Sequence, residues 1–220
     1  MDSPAPGALK PLSPAFFRRP TLQIAPDLLG RFLIVLENGE PVGGRIVEVE
    51  AYIGEDDPAC HAFRGKTKRN TVMYGPPGHA YVYFTYGNHW MLNVVTERDG
   101  FPAALLIRAI EPMQGLPVMR RRRGPDREHT LTNGPGKLTK ALGIDGGYNG
   151  ADLRGPRIII AGRRPPGLPV ATSGRIGVSD GGEVPWRFYI EGNPWVSPYR
   201  NGTRATQVRK AQLGPHAKKS

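Results

Sequence analysis

The chain has 220 residues, with 30 Lys and Arg against 19 Asp and Glu and a formal net charge of +11. That length fits one domain with tails, and a hydrophobic share of 39% with 29 glycines and 23 prolines suits a packed core of short elements joined by many loops. Cys60 is the single cysteine, which excludes an internal disulfide, and no apolar run is long enough to span a membrane.

In chain order, residues 1–18 hold four prolines and read as a flexible N-terminal arm without the charged start and apolar run of a signal peptide. The spacing predicts a short helix over 21–29, capped by Thr21 or Asp27 and stopped at Gly30. Strands follow at 31–37 (RFLIVLE) and at 44–52 (GRIVEVEAY), the latter alternating at the period of two. Residues 80–85 and 89–96 read as two strands joined by a hairpin turn at Gly87 and Asn88. A strand at 103–110 precedes a helix over 111–123 that Pro117 weakens. A second helix is expected over 133–142, with Asn133 as cap, Pro135 early and Gly143 closing it. Later strands fall at 157–161 and 187–191, and 205–220 reads as a basic flexible tail. Residues 19–204 are therefore expected to form one mixed α/β (α+β) domain around a largely antiparallel curved sheet with peripheral helices.

The excess of positive charge favours a polyanionic partner, most often nucleic acid; solubility alone or association with a ribosome are the competing readings. In RIVEVEAY, Glu48, Glu50 and Tyr52 share one strand face, while Val47, Val49 and Ala51 share the other. The valine face is core. The glutamate face is either solvated or the wall of an active site, where Glu50 suits a general base that deprotonates a water. Arg108, ending an apolar strand, can orient that carboxylate or serve as its structural partner.

The loop DPACHAFRGKTKRN places Arg64, Lys66, Lys68 and Arg69 among small polar residues, including Thr67 and Asn70, a pattern suited to phosphate contacts. His61 in that loop is an ordinary loop histidine or a stacking wall for a planar base. Tyr81 and Tyr83 lie on one face of their strand, and Tyr86 falls at the hairpin tip, where a side chain can wedge between bases. Asn93 either satisfies backbone or reads a ligand edge. NGPGKLTKALG offers an anion site at a helix start with Lys137 beside it. Cys60 reads as a buried small residue or a reactive thiol. The run 120–123 is a solvated helix end or a source of non-specific DNA affinity. His61, His79, His89, His129 and His216 show no zinc-ligand spacing.

Taken together, RIVEVEAY, DPACHAFRGKTKRNTVMYGPPGHAYVYFTYGNHWMLNVV, LLIRAIEP, NGPGKLTKALGI and RFYIEGNPWVS resemble the alkyladenine (3-methyladenine) DNA glycosylase family over about 20–200. The resemblance implies an antiparallel-sheet domain, not the helix-hairpin-helix glycosylase fold. It implies a monomeric enzyme that flips alkylated or deaminated purines from duplex DNA and hydrolyses the N-glycosidic bond. It implies no metal or cofactor, no lyase activity, no membrane association, and a cytoplasmic location, at the nucleoid in a prokaryote. Carried over by motif, Glu50 is the general base, and Arg108 and the carbonyl near Val178 help hold the water. Tyr52, His61 and Tyr83 line the base pocket, Asn93 guards against the guanine amino group, and Tyr86 fills the gap left by the flipped nucleotide. Phosphate contacts fall to Arg64, Lys66, Thr67, Arg69, Asn70 and Lys137. Two positions depart from the family pattern: Asn88 replaces a methionine, and Cys60 stands for a serine or alanine. The rival readings are a non-catalytic nucleic-acid-binding protein and a metal-dependent nuclease using Glu48, Glu50, Asp56 and Asp57.

Overall fold

The structure is a computed structural model that describes residues 10–85, 87–124 and 130–198. Helices α1 (Pro14–Phe17) and α2 (Thr21–Leu28) lead into β1 (Phe32–Glu37). A two-residue turn at Asn38 and Gly39, both with positive φ, returns the chain as β2 (Glu40–Ile53). After a long loop come β3 (Ala80–Thr85), β4 (His89–Val95) and β5 (Ala103–Gln114), then α3 (Leu116–Arg123) and α4 (Pro135–Leu142). The last strands are β6 (Ile158–Ala161), β7 (Val170–Ser173) and β8 (Arg187–Ile190).

All strand pairings are antiparallel, in the order β3-β4-β5-β2-β1-β6. β2 organises the sheet. Its first half pairs with β1, whereas Glu48, Val49 and Glu50 pair with β8, which carries β7 on its far edge. Changing neighbour along one edge curls the sheet into a half-barrel with helices at its periphery, and no helix-hairpin-helix pattern occurs among the described residues. The register between β2 and β5 slips at Met113, at Val47 and at Arg108, so β5 carries two bulged residues and β2 one. Bulges re-aim side chains, and those at Val47 and Arg108 lie where a pair of glutamates and an arginine face the same side.

One sheet face is the main core. Val47, Val49, Leu105 and Ile107 pack beneath Ile24 and Leu28 of α2 and Leu138 and Leu142 of α4. The opposite face is covered by the 54–79 loop, whose Cys60, Ala62 and Met73 pack on Tyr81, Val95 and Ala104. The candidate site lies on this second face.

Several local expectations change. Packing reaches back past the expected boundary at residue 18: Leu12 donates its N–H to Ile160, Ser13 caps α1 and Phe17 is fully buried. The remaining arm, residues 1–9, and the tail 205–220 lie outside the described residues. β5 continues to Gln114 because Glu111 and Pro112 find partners in Arg45 and Gly44. The helix therefore begins only at Leu116, and Pro117 stands in its first turn, where no hydrogen bond is lost. Thr85 pairs with His89, so β3 ends and β4 begins where the sequence places them, with Gly87 and Asn88 in the turn. Neither Thr21 nor Asn133 caps its helix. The Thr21 N–H and hydroxyl both donate to Glu97 (3.1 and 2.7 Å), and Asn133 accepts from the Lys137 ammonium at 2.8 Å.

Candidate active site

The alternation of β2 brings Glu48, Glu50 and Tyr52 to one face, and Arg108 of β5 reaches both glutamates. Glu50 has no exposed surface. Its Oε1 accepts the Ile176 N–H at 2.7 Å, while Oε2 accepts from the Tyr52 hydroxyl at 2.8 Å and Arg108 Nη1 at 3.0 Å. A carboxylate offers about four lone-pair sites. Among the described residues three are taken, one on Oε1 and two on Oε2.

Glu48, equally buried, accepts from Arg108 Nε (2.8 Å), Arg187 Nε (2.7 Å) and both the hydroxyl (2.7 Å) and N–H (2.6 Å) of Ser197. Burial alone would raise the Glu48 pKa, but Arg108 and Arg187 outweigh it and the carboxyl sits below the ordinary range. Burial likewise opposes the charge on Arg108, yet Glu50 and Glu48 raise its pKa above the usual value. Burial, with Glu50 adding to it, pushes the Tyr52 phenol well up, so its proton stays available as a donor.

These groups border a cavity of about 260 Å³ lined by Tyr52, His61, Tyr81, Tyr83, Asn93 and Val178 among others. Ligand pockets typically run to ~300–1,000 Å³, so the space suits one compact ring system. Glu50 is not in the lining. It sits behind Tyr52, Arg108 and Ile176, which are. His61 keeps an exposed edge, but its ring packs 4.5 Å from the Tyr83 centroid, and Nδ1 lies 2.9 Å from the Tyr81 hydroxyl. Burial of the inner ring, then the nearby Arg69 charge, lowers its pKa to about 4. His61 is therefore neutral at pH 7. Asn93 is buried and donates to the Tyr81 carbonyl at 3.0 Å while lining the cavity, so both readings of this amide are compatible.

The 175–178 segment is the far wall. Val178 lines it, but the contacts to Glu50 and Arg108 come from Ile176: its N–H donates to Glu50, and its carbonyl accepts from Arg108 Nη1 at 3.5 Å. Arg175 anchors the segment through a buried bidentate pair with Asp57 (2.6 and 2.7 Å), and its guanidinium lies 4.9 Å from the Tyr52 ring centroid. Ile176 acts through its backbone, which no side-chain pattern announces. Arg187 and Ser197 join the site only because β8 docks on β2.

At the rim, Arg64, Lys66, Thr67 and Arg69 are exposed. The Arg69 guanidinium lies 5.1 Å from the Tyr83 centroid. Asn70 differs: it is buried, and its side chain donates to the His61 and Gly65 carbonyls, so it shapes the loop. In NGPGK, Gly136 serves packing, since a Cβ there would meet the His89 ring at 2.7 Å. Arg122 pairs with Glu37 at 2.6 Å, so the basic run on α3 is partly structural. Cys60 is buried, which pushes its thiol up to about 11. Tyr86 lies outside the described residues. Glu48, Glu50 and Asp57 are each held by guanidinium groups, an arrangement that leaves divalent cations little to bind. Among the described residues no helix is long and apolar enough to cross a membrane.

A buried carboxylate held by an arginine behind an aromatic-lined cavity, in a chain of net charge +11, is an arrangement that fits the class of DNA glycosylases. The family model described as Methylpurine-DNA glycosylase (MPG) matches residues 15–194, and the chain belongs to that family. A relative in Chlorobaculum parvum is 46% identical over 206 residues, covering 92% of this chain and 98% of its own. One in Nitrobacter winogradskyi is 48% identical over 202 residues (91% and 94%), and one in Carboxydothermus hydrogenoformans is 49% identical over 187 (83% and 96%). All three carry the name "Putative 3-methyladenine DNA glycosylase".

Proposed function

We propose that this protein flips damaged purines out of duplex DNA and hydrolyses their N-glycosidic bond with water activated by Glu50. The product is an abasic site in an uncut strand. The observation that carries this reading is the buried Glu50 carboxylate, oriented by Arg108, Tyr52 and the Ile176 N–H directly behind the Tyr52–His61–Tyr83 cavity. As the glycosidic bond breaks, the sugar turns cationic, and a fixed carboxylate both stabilises that charge and takes a proton from water. An alkylated purine already bears positive charge and leaves readily. A deaminated purine such as hypoxanthine is neutral and depends more on the pocket.

Tyr52, His61 and Tyr83 stack on the extruded base, each stack contributing ~1–3 kcal/mol, and Asn93 tests its edge. Arg64, Lys66, Thr67, Arg69 and Lys137 contact phosphates, with Asn70 shaping the loop that presents them. Tyr86 fills the vacated stack. The enzyme acts as a monomer, in the cytoplasm, on 3-methyladenine, 7-methylguanine, hypoxanthine or ethenoadenine in a duplex. The test is a single-turnover assay in EDTA on a methylated duplex and on one with a central hypoxanthine. Base release with strand cleavage only after hot alkali is expected. Cleavage before alkali would refute the monofunctional reading. Tight binding without release from either DNA would favour a non-catalytic binding protein.

A further inference from the structure

Two buried carboxylates share Arg108, and one guanidinium cannot neutralise both. The second cation comes from β8. Arg187 Nε donates to Glu48 Oε1 at 2.7 Å, and its backbone pairs with Glu50. Arg187 is 3% exposed and does not line the cavity, so it touches no ligand there. Stability alone is a weak reason to keep such a residue, because buried ion pairs often do no better than apolar replacements. Its effect on Arg108 is more specific. With Arg187 and Ser197 satisfying Glu48, Arg108 gives Nε to Glu48 at 2.8 Å and Nη1 to Glu50 at 3.0 Å, with longer contacts from Nη1 to the Ile176 carbonyl (3.5 Å) and from Nη2 to the Ser197 hydroxyl (3.4 Å).

We propose that Arg187 and Ser197 are positioning residues for base release: they balance the charge and hydrogen bonds of Glu48, so that Arg108 stays on Glu50. The inference rests on Glu50 being the water-activating group. The groups facing the cluster make the balance explicit. β2 supplies Glu48, Glu50 and Tyr52, β5 supplies Arg108, and β8 supplies Arg187 with Tyr189 stacked against it. Ser173 accepts from Arg187 Nη1 at 3.0 Å, and Ser197 closes the far side. Arg175 and Asp57 beside Tyr52 neutralise one another. Among the described residues, two negative charges thus meet two positive ones.

The test is the pH profile of single-turnover base release. Arg187→Gln leaves two carboxylates for one guanidinium, and like charges disfavour joint ionisation, so the cluster takes up a proton at higher pH. The acid limb should move up by about one pH unit or more, with DNA affinity at neutral pH little changed. Arg187→Lys should move it less. Ser197→Ala, which removes the hydroxyl and keeps the N–H, should move it in the same direction by a smaller amount. The double variant Glu48→Gln with Arg187→Gln removes one charge of each sign and should return the limb to the wild-type position. A folded Arg187→Gln protein with an unshifted limb overturns the proposal. If that variant does not fold, the double variant decides: a limb displaced upward there overturns it equally. A wild-type protein that releases no base refutes the glycosylase reading itself, and the proposal falls with it.

Discussion

At the scale of single residues, the site works by fixing protonation states. His61 is the clearest case. Its pKa falls from 6.5 to about 4 on folding, so the unfolded chain binds its proton more readily than the folded one. By linkage, the stability associated with neutral His61 is complete above pH 6.5 and is lost as pH falls toward 4. An NMR titration should place the imidazole midpoint near 4, and a midpoint near 6.5 would show that the ring is not packed as described. Cys60 makes a parallel case: a buried thiol raised to about 11 should resist alkylation until the protein unfolds. Mass spectrometry before and after denaturant addition checks this. Glu50 and Arg108 were legible in the sequence because a polar face on an otherwise apolar strand is conspicuous. Ile176 was not, because its contribution is an N–H that every non-proline residue carries.

At the scale of elements, the Arg175–Asp57 pair ties the loop after β2 to the segment after β7, and so holds both cavity walls. Asp57→Asn leaves a buried guanidinium without its counter-charge. A loss of about 3–5 kcal/mol is expected, read as a lower denaturant midpoint. Base release should fall as well, because the Ile176 N–H is no longer held against Glu50. An unchanged midpoint would mean that the segment is anchored elsewhere. The strands of the first half of the chain were readable from alternation and turn residues alone. The end of β5 was not: Glu111–Gln114 looks helical locally, and only pairing with Gly43, Gly44 and Arg45 makes it a strand. The Gly87-Asn88 signal was enough to place the hairpin, since a turn pair between two alternating apolar segments is a local feature.

At the scale of the whole molecule, a net charge of +11 commits the protein to salt-sensitive association with DNA. The exposed rim cations Arg64, Lys66, Lys68 and Arg69 all lie on one loop beside the cavity. Replacing any one that contacts a phosphate with Ala should weaken binding to every duplex sequence alike and reduce the slope of log K against log[salt] by about 1. Saturating single-turnover rates should barely move, which separates capture from chemistry. The assembly of the site across distant segments explains what the sequence left hidden. Glu48 and Arg187 are 139 positions apart, and Glu50 and Ile176 are 126 apart. No local pattern encodes that β8 docks on the second half of β2.

Base release is proposed to depend on Glu50 as the group that activates water. The most direct measurement is single-turnover base release from methylated duplex DNA by wild-type and Glu50→Gln proteins, with DNA affinity measured on the same samples. Glu50→Gln should bind within a few-fold of wild type and release base about 10²–10⁴-fold more slowly. Release at the wild-type rate by the Gln variant would remove Glu50 from the chemistry and contradict the account.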